Sequence, residues 1–446
     1  MKRSSLVLLV LSALLATACP ALANPTPVLP VWAKSATIYE VNLRQYTQEG
    51  TFNAFAQSLP RLKNLGVKIL WFMPIQPISV KNRKGSLGSE YSVADYKGIN
   101  PEFGTAKDFS DLVNKAHAMG FKIILDWVAD HSGWDNPWIT NKSWYHQDSD
   151  GNIVPPNSDW TDVAWLNFEN AEMRAAMIES MSFWVKTFDI DGFRADYANG
   201  VPADFWNDAN AALQQIKPLF MLAESQGHND LLESAFVADY NWALLHLMED
   251  LNVSTKDRTN FIETSVRQGM TYPKGTFPLN FITNHDENTW NGTEYSRLDN
   301  SVSAMAALSF VYPGIPLIYS GQEVGNKKQI AFFDKDLIPG LTKANSTSLF
   351  YSKLITLKNQ NSALWNDAPA TLNPLDSNNP EVISFSRTQG KNKVIFLMNI
   401  STIKQKVAVK LGALKGKYKV FSSGKMTSFA GAAALAPWGF EIYSTN

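Results

Sequence analysis

The chain has 446 residues, 45% of them hydrophobic and 18% charged, with a formal charge of −1 at pH 7. That length exceeds one ordinary core and suits a large α/β barrel with an appended domain, while the near-zero charge excludes a basic field for nucleic acid or an anionic membrane. Its 14 Trp, 14 Tyr and 25 Phe fit a ligand with flat apolar faces, such as a sugar, and equally a large core.

Taken in chain order, the first element reads as an export signal. Lys2 and Arg3 precede an apolar run from Leu6 to Ala16, and Ala21-Leu22-Ala23 supplies small residues for cleavage after Ala23. The run is too short to span a bilayer. Loss of residues 1–23 leaves 38 basic against 41 acidic residues and removes Cys19, the single cysteine. The mature chain is therefore expected to be secreted or periplasmic, without thiol, disulfide or cysteine metal site. The alternative is a lipoprotein-type site, Ala16-Thr17-Ala18-Cys19, which would leave a lipid anchor on Cys19 and hence a membrane attachment.

From residue 32 the pattern alternates between strands and helices. Ile38–Val41 reads as a strand, followed by a helical stripe at Phe55, Leu59, Leu62 and Leu65 closed by Gly66. Val67–Met73 is a buried strand. Thr105 caps a helix with Asp108 three residues on, a stripe at Phe109, Leu112, Val113 and Ala116, and Gly120 at its end. Ile123–Val128 is a third strand. Residues 129–168 then lose periodicity and carry Trp134, Trp138, Trp144, Trp160 and Trp165; so long an excursion is usually functional, and most of these tryptophans are expected to be core. Alternation resumes with a helix bearing Met173, Met177, Met181, Trp184 and Phe188. Four more strands follow Asp189–Asp196: Leu219–Glu224, a faint one at Phe236–Tyr240, Pro278–Thr283 and Ile315–Tyr319. Eight strands with interleaved helices predict a (β/α)8 TIM barrel over 32–360, interrupted after strand three by the excursion at 129–168. Beyond residue 361 only short strands occur, at Val382–Phe385, Val394–Met398, Val407–Leu411, Tyr418–Phe421 and Phe440–Tyr443. They predict an antiparallel C-terminal β-sandwich over 361–446.

Charged residues at the C-terminal ends of barrel strands are the informative ones. Strand three ends with Asp126 and leads into Asp130-His131; strand four delivers Arg194 and Asp196, which point the same way because side chains alternate. Strand five ends with Glu224, and strand seven runs into Asn284-His285-Asp286. Each has a structural explanation when taken singly: Arg194–Asp196 an ion pair, Asp126 a buried acceptor, His285 a satisfied loop histidine, Glu224 a helix-start carboxylate. Together they are a cluster of like charges that costs free energy unless it is used. Paired carboxylates in different environments are the working parts of a glycosidase. Asp196, held ionised by Arg194, suits the nucleophile; Glu224, flanked by Leu222 and Ala223, suits a proton donor of raised pKa; Asp286 suits a charge stabiliser, with His131 and His285 as neutral donors to the same ring.

These residues fall in four ordered motifs: Asp126-Trp127-Val128-Ala129-Asp130-His131, Gly192-Phe193-Arg194-Ala195-Asp196, Ala223-Glu224-Ser225 and Phe281-Ile282-Thr283-Asn284-His285-Asp286. With Tyr91–Tyr96, Leu166-Asn167, Gly314-Ile315-Pro316 and Gly321-Gln322-Glu323 in support, the chain from about residue 32 onward resembles the α-amylase family of retaining glycosidases. The resemblance implies Asp196 as nucleophile, Glu224 as general acid/base, Asp286 as transition-state stabiliser, and Arg194, His131, His285, Asn284 and Tyr91 as substrate-binding residues. It implies an α-glucan substrate, no cofactor for the chemistry, and residues 129–168 as a small domain inserted in the barrel over the cleft.

Two positions depart from the family pattern. Asp130 stands where an Asn commonly helps bind a structural calcium, and Asn199-Gly200 stand where Lys-His often supplies one calcium and one substrate contact. Asp130 is the metal position the resemblance leaves, and the departures put the family calcium in doubt. Asp148-Ser149-Asp150-Gly151-Asn152 has its glycine too early for an EF-hand and reads as a solvated turn. Three readings follow. They are an exported hydrolase of α-1,4-glucans, a transglycosylase or isomerase with the same residues, and a non-catalytic glucan-binding barrel, which predicts loss of an acid that this chain retains.

Overall fold

The computed structural model describes residues 27–253, 261, 272–369 and 372–446; the expected export segment lies outside the described residues. The barrel begins with β1 (Ile38–Val41), β2 (Ile69–Phe72) and β3 (Lys122–Val128). After two excursion strands, β4 (His131–Gly133) and β5 (Val163–Trp165), it resumes with β6 (Gly192–Asp196), β7 (Phe220–Ala223), β8 (Ala238–Tyr240), β9 (Phe277–Asn280) and β10 (Ile315–Tyr319). The eight barrel strands are parallel and closed, β10 pairing with β1 and β3 with β6 across the excursion. Their residues are almost all buried, because the barrel interior is packed on one side and helices cover the other.

Local rules explain the helices. Thr105 and Asp108 form a reciprocal capping box on the helix Ala106–Ala118, whose buried stripe is Phe109, Leu112, Val113 and Ala116. Gly66 ends the helix Leu59–Leu65 in a left-handed conformation, its N–H returning to Leu62 O. The faint segment at Phe236–Tyr240 is a true barrel strand, pairing with β7 and β9. Strand β9 stops at Asn280, short of the expected Thr283, and the Asn280 side chain is bonded to Asn241 Nδ2 and to Pro313 O. Asn284-His285-Asp286 therefore sit in a loop beyond the strand.

In the excursion β4 pairs with β5, setting His131 opposite Trp165. Trp138 packs on Tyr96 and Trp144, as expected of core, whereas Trp160 faces the cleft described below. Residues 148–152 form an exposed turn in which Asp148 accepts from the Asp150 and Asn152 N–H groups.

The C-terminal part comprises β11 (Asn373–Pro374), β12 (Val382–Gln389), β13 (Asn392–Asn399), β14 (Gln405–Ala408), β15 (Gly416–Val420), β16 (Met426–Phe429), β17 (Ala432–Leu435) and β18 (Phe440–Ser444). Six of these form one antiparallel sheet and β14–β17 a second, with Val382, Ile395, Val407, Leu435 and Tyr443 in the core between them. Two basic side chains mark the seam with the barrel. Arg387 is buried and donates to the carbonyls of Val311, Tyr312 and Pro369. Lys358, fully buried, donates to Gly314 O and Leu364 O, and burial holds its pKa well below the ordinary lysine value.

Candidate active site

The stretch Gly192–Asp196 is possible only because residue 192 lacks a side chain: a Cβ there would lie 1.9 Å from Phe220 O on β7. That close approach lets β6 and β7 pair in register and sends Arg194 and Asp196 inward, while Phe193 packs outward on Trp127.

Arg194 is the centre of the site. Its side chain is 0% exposed. Nη1 donates to Asp126 Oδ1 at 2.7 Å and to Asp196 Oδ1 at 2.8 Å; Nη2 lies 2.8 Å from Glu224 Oε1, and Nε donates to Tyr240 OH at 3.1 Å. The guanidinium also lies over the ring of Trp71, 5.1 Å from its centroid. One cation thus serves three carboxylates, so it cannot be spent on Asp196 alone. Burial pushes Asp196 well above the ordinary carboxylate range; Arg194 opposes this, and Glu224, Asp126 and Asp286 add to the rise. Arg194 favours the ionised form of Asp196, as the sequence led one to expect, but divides its charge among Asp126, Asp196 and Glu224.

Glu224, whose side chain is 14% exposed, directly follows β7. Its Oε2 accepts from the Tyr197 backbone N–H at 2.7 Å. Asp286 is more open, at 42%, and its Oδ1 accepts from Trp290 Nε1 at 3.1 Å. Trp290 belongs to a single π-helical turn, Glu287–Asn291, a feature that favours functional sites. Its ring packs on Phe332 at 5.4 Å.

His285 carries a second correction. Its Nδ1 lies 2.5 Å from Glu40 Oε1, a residue buried in the middle of β1, and its Nε2 lies 3.6 Å from Asp286 Oδ2. Burial disfavours the charged ring, but Asp286 and Glu40 outweigh it and push the pKa up to about 10. The two carboxylates favour the charged ring, whereas the sequence led one to expect a neutral donor. Tyr91 lies nearly parallel to it, ring centroids 5.5 Å apart, with its OH 3.0 Å from Asp126 Oδ2 and 2.8 Å from His285 Nε2.

A cleft of roughly 680 Å³ brings together Tyr91, His131, Asp196, His285 and Asp286. Asn284 does not line it: buried, it accepts from the Glu287 N–H at 2.7 Å and shapes the turn that carries Asp286. Asp130 is buried with its carboxylate 3.4 Å from His131 Nδ1. Calcium takes six to eight oxygens, and no group of three or more His, Cys, Asp or Glu among the described residues is arranged to hold a metal ion. Asp130 belongs to no such group. Sequence reasoning missed Glu40, Tyr197, Tyr240 and Trp290. Of these only Glu40 carried a signal, as a lone acid inside an apolar strand.

The family model for the α-amylase catalytic domain matches residues 34–348. The chain is 24% identical to the α-amylase MalA of Haloarcula japonica over 87% of this chain and 60% of that protein. It is 27% identical to an intracellular maltogenic amylase of Bacillus subtilis over 81% of this chain and 63% of that protein. It therefore spans about three fifths of the length of these curated relatives. An α-amylase structure from Lactobacillus plantarum superposes with a TM-score of 0.81 at 28% identity, covering 92% of this chain and 99% of that one.

Proposed function

The chain belongs to the α-amylase family, and on that premise we propose that it hydrolyses α-1,4-glucosidic bonds of starch, glycogen or maltooligosaccharides with net retention. The observation that carries the reading is that Asp196 and Glu224 hang from the two terminal nitrogens of one buried guanidinium. This keeps them close, as the roughly 5 Å carboxyl spacing of a retaining pair requires.

In the first step an Asp196 oxygen attacks the anomeric carbon while Glu224 gives its proton to the departing glycosidic oxygen. The bond from carbon to the leaving sugar breaks as the bond to Asp196 forms. Glu224, now a carboxylate, takes a proton from water, whose oxygen displaces Asp196 from the same carbon. Asp286 and His285 flank the reacting ring, the first stabilising positive charge and the second donating to a hydroxyl. Paired-carboxylate chemistry of this kind uses no cofactor. Export is part of the same proposal: the cell-derived protein should begin at Asn24 by mass spectrometry, and a retained Met1 in the functional protein would refute cleavage.

Product analysis on starch, pullulan, maltooligosaccharides and cyclodextrins tests the activity. Shorter sugars released first as the α-anomer are expected. A β-anomer released first would refute retention, and predominantly longer sugars from maltotriose would reassign the chain to transglycosylation with the same residues.

A further inference from the structure

We propose that Tyr197 is the specificity residue of the leaving-group side, its ring the platform on which the departing saccharide, or a sugar acceptor during transfer, lays its apolar face. This rests on the reading of Asp196 and Glu224 given above.

The position follows from the proton. Glu224 protonates the oxygen that leaves, so whatever stands beside Glu224 away from the attacked carbon stands beside the leaving group. Tyr197 is that residue, since its own N–H donates to Glu224 Oε2 at 2.7 Å. Its side chain then turns into the cleft rather than into the core. It is 41% exposed, one of the few large apolar side chains so open among the described residues. Scattered exposed aromatics need no explanation, but this one is framed. Trp160 meets it edge to face, centroids 5.6 Å apart at 81°, and itself packs on His131 at 5.7 Å.

Two further residues hold the ring there. Tyr197 has φ of 41°, in the left-handed region that a bulky residue rarely adopts. Gly200 lies directly against the ring: a Cβ at 200 would be 2.4 Å from both Cδ1 and Cε1 of Tyr197. The chain thus gives up a side chain at 200 and keeps an unfavourable backbone at 197, and the outcome is one aromatic face presented beside the proton donor. A pyranose ring, with its C–H face, is the chemistry that such a platform and its perpendicular wall recognise.

The test compares two substrates of the full-length enzyme. With maltotriose the leaving group is a sugar. With α-maltosyl fluoride the carbon–fluorine bond breaks as the bond to Asp196 forms, and fluoride departs without a proton or a sugar platform. In Tyr197→Ala the ratio of kcat/KM on maltotriose to that on the fluoride should fall roughly tenfold, the scale of one aromatic contact. It should stay within about twofold in Tyr197→Phe, and Gly200→Ala, which displaces the ring, should shift it in the same direction as Tyr197→Ala. An unchanged ratio in Tyr197→Ala overturns the proposal, as does an equal loss on both substrates, which would make Tyr197 a support for Glu224 or the fold. A wild-type protein inactive on both overturns the hydrolase reading itself, and the platform with it.

Discussion

Asp126→Asn tests whether three carboxylates really compete for one guanidinium. Asp126 Oδ1 and Asp196 Oδ1 lie 2.7 and 2.8 Å from the same Arg194 nitrogen, so they are at most about 5.5 Å apart. At an effective dielectric of about 20, two unit charges at that distance repel by about 3 kcal/mol, equivalent to about two pH units on Asp196. The neutral amide's residual dipole, which keeps part of the repulsion, brings the expectation nearer one. Removing a like charge favours the ionised form, so the acid limb of kcat/KM, which reports the free enzyme's essential base, should move to lower pH by about one unit. The substitution also turns an amide N–H toward Trp71 Nε1, which now donates to Asp126 Oδ2 at 3.2 Å; a stability cost of about 1–3 kcal/mol accompanies it. The assay is a pH profile on a chromogenic maltooligoside, with folding checked by circular dichroism. An acid limb that stays in place or moves up refutes the sharing argument.

Asp196→Asn and Glu224→Gln should each lower kcat by on the order of a thousandfold or more while thermal melting stays close to wild type; near-normal turnover in either would overturn the assigned roles. Glu40→Gln should lower the His285 pKa from about 10, followed by NMR titration of the imidazole. The sign also fixes a stability profile. His285, raised in the folded state, contributes fully below the ordinary histidine value near 6.5 and loses that contribution as pH rises toward about 10. The stability gap between wild type and His285→Gln should narrow over that window, and a widening gap would contradict it. Gly192→Ala should cost more than about 3 kcal/mol, because the Cβ collides with Phe220 O; an unchanged melting temperature would show that β6 and β7 can separate freely.

The barrel was readable because each of its strands is an apolar run ended by a turn signal, and the reactive residues stand where those runs stop. Strand alternation placed Arg194 and Asp196 together, and the shared rim of the barrel's strand ends added Glu224. What escaped was built from contacts distant in sequence or from loops without a period. Glu40 meets His285 across 245 positions, so nothing local announced that the histidine would favour its charged form. Tyr197, Trp290 and Phe332 come from turns, where no repeat distinguishes a cleft wall from solvent-facing chain. Strands β16 and β17 were missed for another reason. Their residues are mostly exposed and, at Ala432–Leu435, small, so the alternation that marks a half-buried strand is missing. Asn284 illustrates the converse: a motif position can matter by folding a turn rather than by touching ligand.

The seam held by Arg387 and Lys358 bears on any attempt to shorten the protein. Both side chains spend their donors on main-chain oxygens next to β10, one from a C-terminal strand and one from the last barrel helix. Deleting the C-terminal sheets would strip Val311 and Tyr312 carbonyls of the Arg387 donor and open the strand that closes the barrel against β1. A detachable carbohydrate-binding module would be joined by a linker and could be cut away without harm. Here the two parts share a load of buried polar groups, and a catalytic core cut near residue 370 should be recovered only as insoluble or unfolded chain.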